Sequence, residues 1–161
     1  MASQTLVLEE PQIRTAADEA ATIVSGVIQV TVSGTTITLT GSGEGWRAAD
    51  TTLTLEPEAT QPLPVRYELL TYIQTSGFGF GDPAMKLFPI NGNPNISFGY
   101  ERDNASSATL CFLNSVPPTG LPQPFEALFD IREIDPLTGN LSASRLLFEA
   151  DPTIVFDPPK G

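Results

Sequence analysis

Within residues 23–40 two runs, IQVTV and ITLT, alternate apolar and polar residues one for one. That period of two fits a strand, whose successive side chains point to opposite faces, and excludes an amphipathic helix, whose apolar residues recur every three or four positions. TIVSGVIQV is followed directly by TVSGTTITLT, with Ser33-Gly34, a pair suited to a tight hairpin, at the turn. Pairing Val32 with Thr35 sets Ile28, Val30, Ile37 and Leu39 on one face and Gln29, Thr31, Thr36, Thr38 and Thr40 on the other. TTLTLEP at 51–57 repeats the pattern, with Leu53 and Leu55 inward and Thr52, Thr54 and Glu56 outward.

The remainder reads as more short β segments punctuated by Gly, Pro and Asn. A strand is expected at about Thr5 to Leu8, and a short helix near residues 15–21, with Thr15 as N-cap. EPEATQPLP is a proline-stiffened connector, and VRYELLTYIQT is long and apolar enough for a central strand. GFGFGD at 77–82 interrupts the alternation. ISFGYER and SATLCFLN predict a second hairpin across Arg102 to Ser106. FEALFDIREI and LSASRLLFEA predict a third around Pro136 to Gly139. If Asp135 pairs with Asn140, Phe129 faces Leu146, Ala127 faces Phe148 and Asp130 faces Arg145. TIVF at 153–156 is a last strand. The expected fold is a single all-β domain over residues 1–161, an antiparallel β-sandwich or jelly-roll-like domain of about eight to ten strands with at most one short helix.

Charge and composition narrow the chemistry. The 161 residues include 19 acidic and 8 basic ones, giving a formal net charge of −11, with no histidine and one cysteine. Without imidazole the usual base near neutral pH and the commonest zinc ligand are missing. Cys111 has no histidine to activate it, so no catalytic residue and no cofactor are expected. A chain at −11 is repelled by phosphate backbones and anionic lipid, which argues against nucleic acid and membrane partners. MASQTLVLEEPQ lacks a basic n-region and meets Glu9 and Glu10 before any apolar run of signal length. The expectation is therefore cytoplasmic synthesis with neither signal peptide nor transmembrane segment, and a virion as the final location.

Several motifs invite chemistry. GSGEGW at 41–46 could cradle an anion, but WRAAD leads at once into TTLTL rather than into the helix a phosphate loop requires. Trp46, in that glycine-rich stretch beside Arg47, could stack on a sugar, anchor a partner or cap one end of the core. Phe78 and Phe80 stand two apart between glycines that leave their rings little local cover. With Phe88 they fall in the charge-poor stretch GFGFGDPAMKLFPI, and SVPPTGLPQPF is its counterpart further along. Phe78, Phe80, Phe88 and Trp46 are accordingly the candidate partner contacts, with Phe78 or Phe80 as principal anchor. Glu101, Asp103 and Asn104 on one hairpin offer hard oxygen donors for Ca²⁺, without the full alternating pattern of an EF-hand loop.

The functional expectation is a non-enzymatic structural or assembly protein, most sharply a virion capsid-decoration (cement) subunit. Its partner would be another protein or its own copies in a homo-oligomer. The alternative is a glycan- or small-ligand-binding β-sandwich module.

Overall fold

The computed structural model describes residues 7–8, 22–90 and 96–160. Its regular elements are the strands β1 (Val7–Leu8), β2 (Thr22–Ser33), β3 (Thr36–Gly43), β4 (Trp46–Ala49), β5 (Thr52–Leu55), β6 (Val65–Ile73), β7 (Phe78–Pro89), β8 (Ile96–Asn104), β9 (Ser107–Asn114), β10 (Gln123–Glu133) and β11 (Thr153–Phe156). Among the described residues there is no helix, and the helix expected near 15–21 lies outside them.

The strands form one ladder in the order β1-β8-β9-β6-β2-β3-β4-β5-β11-β10-β7. The all-β expectation holds, but the purely antiparallel arrangement does not: β1 runs parallel to β8, β2 to β6 and β5 to β11. The β2–β6 pairing arises because β3, β4 and β5 leave β2 on one side and the proline-rich connector returns the chain to its other side. β3 bends the ladder into a nearly closed, barrel-like sheet. Its first half pairs with β2, whereas Gly41, Ser42 and Gly43 pair with β4. At Gly41 a Cβ would stand 2.6 Å from the Val27 carbonyl oxygen, so the close backbone approach at this corner depends on glycine. Near the far end, Phe80 N–H donates to the Ala105 carbonyl at 2.7 Å, tying β7 to the β8–β9 turn.

The first hairpin has the expected faces and a different register. Val32 pairs with Ile37 and Ser33 with Thr36, so the turn residues are Gly34 and Thr35, and Val32 does not pair with Thr35. Gly34 at φ 60° supplies the positive φ that the first central position of such a turn requires. A two-residue shift preserves strand parity, so Ile28, Val30, Ile37 and Leu39 are all buried. The second hairpin turns at Ala105-Ser106, and β6 is central in its half, between β2 and β9.

The third hairpin departs from expectation. Its turn forms, with Asp135 N–H donating to the Asn140 carbonyl at 2.8 Å and Ile134 bridging Leu141. The ladder then breaks. Phe129 pairs with Met85 and Ala127 with Leu87 on β7, not with Leu146 and Phe148. On its other edge β10 takes TIVF, so Glu126 lies opposite Thr153 where the expected register would set Glu149. Arg132 supplies the physical reason. Its guanidinium grips Asp130 through Nε at 2.8 Å and Nη2 at 3.1 Å, and Nη1 donates to the carbonyls of Ser142 and Ala143. Asp130 is thereby paired two residues along its own strand, and the return segment keeps Ser142 N–H on the Glu133 carbonyl but sets Leu146 N–H on the Ile131 carbonyl, two residues out of the expected register.

The interior is filled by rings. Phe98 stacks on Phe112 at 5.3 Å between centroids, and Phe156 meets Phe112 and Phe125 edge-on at 5.7 and 5.3 Å. Asn114 pins the polar backbone beside them: fully buried, it donates to the carbonyls of Leu55 and Asp157 and accepts from Val116 N–H.

Candidate functional site

The candidate contact rings separate into buried and partly buried groups. Trp46 is not on a loop: it opens β4, is 4% exposed, and lies over Gly26 of β2 and Gly41 and Gly43 of β3. A Cβ at Gly26 or Gly43 would come within 2.3 Å of the indole, so these glycines form a socket for the ring. Its Nε1 is buried and has no hydrogen-bond partner among the described residues. Phe80, 1% exposed, packs 6.4 Å from Phe129. Its neighbouring glycines admit other parts of the chain: a Cβ at Gly79 would meet the Ala105 carbonyl oxygen at 2.7 Å, and one at Gly81 the Asp130 carboxylate at 2.5 Å. Neither Trp46 nor Phe80 offers a partner surface in this fold, which corrects the choice of Phe80 as a principal anchor. Phe78 is half-buried against the core.

Phe88 stands differently. It is half-buried opposite Glu126, and the ladder brings its strand end beside the loop leading into β10. Ile90 N–H donates to the Pro124 carbonyl at 3.0 Å. The ends of the two charge-poor stretches noted in the sequence therefore meet; Ile90 there is 57% exposed, and Leu121, three residues before Pro124 in the loop, is 80% exposed. Neither residue was singled out beforehand. The available signal was their position in those stretches, next to prolines that cannot contribute N–H groups to a ladder.

The calcium candidates lie on the β8–β9 hairpin. Glu101 and Asp103 are exposed, Asp103 accepts from the Thr109 hydroxyl at 2.8 Å, and Asn104 Oδ1 accepts from Ser106 N–H at 2.9 Å. No group of three or more acidic, thiol or imidazole side chains gathers to hold a metal among the described residues. Cys111 is buried; burial pushes its thiol pKa up, against an opposing pull from Arg66, whose Nη2 lies 4.0 Å away. That environment disfavours the thiolate. Tyr67 donates to the Gly45 carbonyl at 2.8 Å, and burial, then the carboxylates of Glu58 and Glu56, raise its phenol above the ordinary range.

A surface cleft of about 480 Å³ follows the turn after β10, lined by Glu133, Ile134, Asp135, Pro136, Thr138, Asn140, Leu141 and Ser142. It has hydroxyl and carboxylate groups but no aromatic ring on which a sugar could stack. Among the described residues no helix is long and apolar enough to cross a membrane. No protein-family model matches the chain, and the comparisons with curated proteins and with solved structures found no match either.

Proposed function

We propose that this chain is a non-enzymatic assembly protein acting through contacts of its outer surface, in its sharpest form a capsid-decoration subunit of a virion. The observation that carries the reading is the placement of apolar area. The described interior is closed by packed rings, while Phe88 and Ile90 at the end of β7 and Leu121 in the loop before β10 leave apolar side chains on the outside. A barrel whose inward positions are filled by side chains leaves its outside to do the binding. The glycan-binding alternative has the polar cleft at 133–142 in its favour and lacks a stacking ring there.

The test is association of the full chain with purified particles from its source, read by mass spectrometry of the washed particles. Stoichiometric recovery is expected, and Leu121→Glu should weaken it by about tenfold or more by placing an unpaired charge at the contact. Failure of the unaltered chain to bind particles would overturn the virion form. Binding that Leu121→Glu leaves unchanged would overturn this contact.

A further inference from the structure

Between β10 and β11 the chain leaves the ladder, and the second half of this excursion, Ser142–Ala150, lies back along the barrel without forming a strand. β11 pairs with β10 only from Gln123 to Glu126. Further along the same edge of β10, Leu146 N–H donates to the Ile131 carbonyl at 2.7 Å and Ser142 N–H to the Glu133 carbonyl at 2.8 Å. At its other end the segment reaches the turn of the first hairpin, where Glu149 N–H donates to the Thr35 carbonyl at 2.9 Å. It therefore forms a strap from β10 to the β2–β3 turn.

The strap is patterned like a strand and held like a loop. Leu146 and Phe148 pack against the core, while Leu147 between them is 71% exposed, the alternation of an extended segment. A laddered strand makes about one main-chain hydrogen bond per residue with each neighbour. Among the described residues, the three bonds above are all that tie the main chain of 142–150 to the main chain of the barrel.

Two more bonds come from a single side chain. Arg132 Nη1 donates to the carbonyls of Ser142 at 3.2 Å and Ala143 at 3.0 Å, while Nε and Nη2 hold Asp130. Arg132 and Asp130 both stand on β10, so the guanidinium clamps the start of the strap to the sheet. The flanks on either side are fixed independently of the strap. Ile134 bridges Leu141 before it, and after it Ala127 N–H donates to the Pro152 carbonyl at 2.8 Å, followed by β11 in register with both β5 and β10.

We propose that Ser142–Ala150 is a latched strap, a conformational device that opens and closes the side of the barrel while the strands stay paired, with Arg132 as its latch. Opening is governed by the contacts of the segment itself and not by the stability of the whole fold. It frees the Ile131 and Glu133 carbonyls on the edge of β10 and uncovers the apolar side chains on which Leu146 and Phe148 rest. The strap stands apart from Phe88, Ile90 and Leu121 and works whether or not those residues bind a particle.

Arg145 supplies a built-in reporter. Trypsin can cut after it only when the residues around it leave the barrel, since Leu146 N–H is held by Ile131. Arg47, Arg66, Lys86, Arg102 and Arg132 all lie on strands. The experiment is limited trypsin digestion of the full chain, with hydrogen exchange read by mass spectrometry in parallel. Cleavage after Arg145 is expected before cleavage at any of those strand positions, and amides of 142–150 should exchange about tenfold or more faster than those of β2 and β6. Arg132→Gln should raise both the cleavage after Arg145 and the exchange of 142–150 by about tenfold, with little change in β2 and β6. Exchange in the unaltered chain keeps the strap testable if Arg132→Gln fails to fold. A strap that exchanges only together with β2 and β6, or a first cut on a strand, would overturn the strap. Strap exchange that folded Arg132→Gln leaves unchanged would overturn the latch.

Discussion

Trp46 and Phe88 are both aromatic sites in stretches rich in glycine or proline, yet one is sealed and the other open. Around Trp46 three glycines on two neighbouring strands remove the Cβ atoms that would otherwise occupy the ring's place. Around Phe88 the neighbouring chain is proline-rich, and it leaves Ile90 and Leu121 in solvent. Cover for a ring thus comes from across the ladder, not from adjacent positions in the chain. A glycine-flanked aromatic looks bare in sequence because its flanks have no side chains; in a curled sheet the same glycines let another strand or ring come close.

The largest effect is expected at Trp46. Trp46→Ala should cost about 3–5 kcal/mol of unfolding free energy, measured by urea titration followed by circular dichroism. A loss below about 1 kcal/mol would show the socket to be inessential. Gly43→Ala sharpens the point from the opposite side: its methyl group overlaps the indole, so a loss of about 1–3 kcal/mol is expected, with the Trp46 emission moving to longer wavelength as the ring is displaced. In the proline-rich loop Leu121→Asn should change stability by no more than about 0.5 kcal/mol, since its side chain is already in water.

The smallest effect belongs to Asp157, at the barrel end that Asn114 pins. Burial first, then the nearby Glu56 carboxylate, raise its pKa above the ordinary carboxylate value, against an opposing pull from Arg47. The folded protein holds this proton more tightly than the unfolded chain does. The resulting stabilisation is full below the ordinary carboxylate pKa and is lost as pH rises through the raised folded value. Asp157→Asn should therefore raise the melting temperature slightly at neutral pH and leave it unchanged near pH 3, where the carboxyl is protonated in both states. An equal change at both pH values would remove the titration argument.

Strand identity and facing were legible wherever period-two alternation met a turn with a conformational demand. Gly34 made the first hairpin readable even though its strands pair two residues from the expected register, because a shift of two keeps every side chain on its own face. The third hairpin misled because apolar alternation in RLLFEA matched β10 as well as TIVF does. Arg132 holds the return segment through the Ser142 and Ala143 carbonyls, contacts that connect side chain to main chain and leave no trace in hydrophobic periodicity. The parallel pairings were hidden for a related reason, since they join strands far apart in the chain with no shared turn to announce them. Among the contact candidates, Phe88 kept partial exposure and Phe80 and Trp46 did not, a distinction set by cross-strand neighbours.

β11 occupies the rung between β5 and β10, and Leu55 finds its partner in Phe156 from a distant part of the chain. On the ribosome this order has a temporal consequence. While residues 153–156 are still inside the exit tunnel, the edges of β5 and β10 that flank β11 lack this partner, and the β10–β7 pair cannot join the rest of the ladder through it. The latest of the described strands to be synthesised is thus the one that welds two partial sheets into a single wall, and until it emerges the nascent protein carries two unsealed borders within reach of its neighbours on the same message.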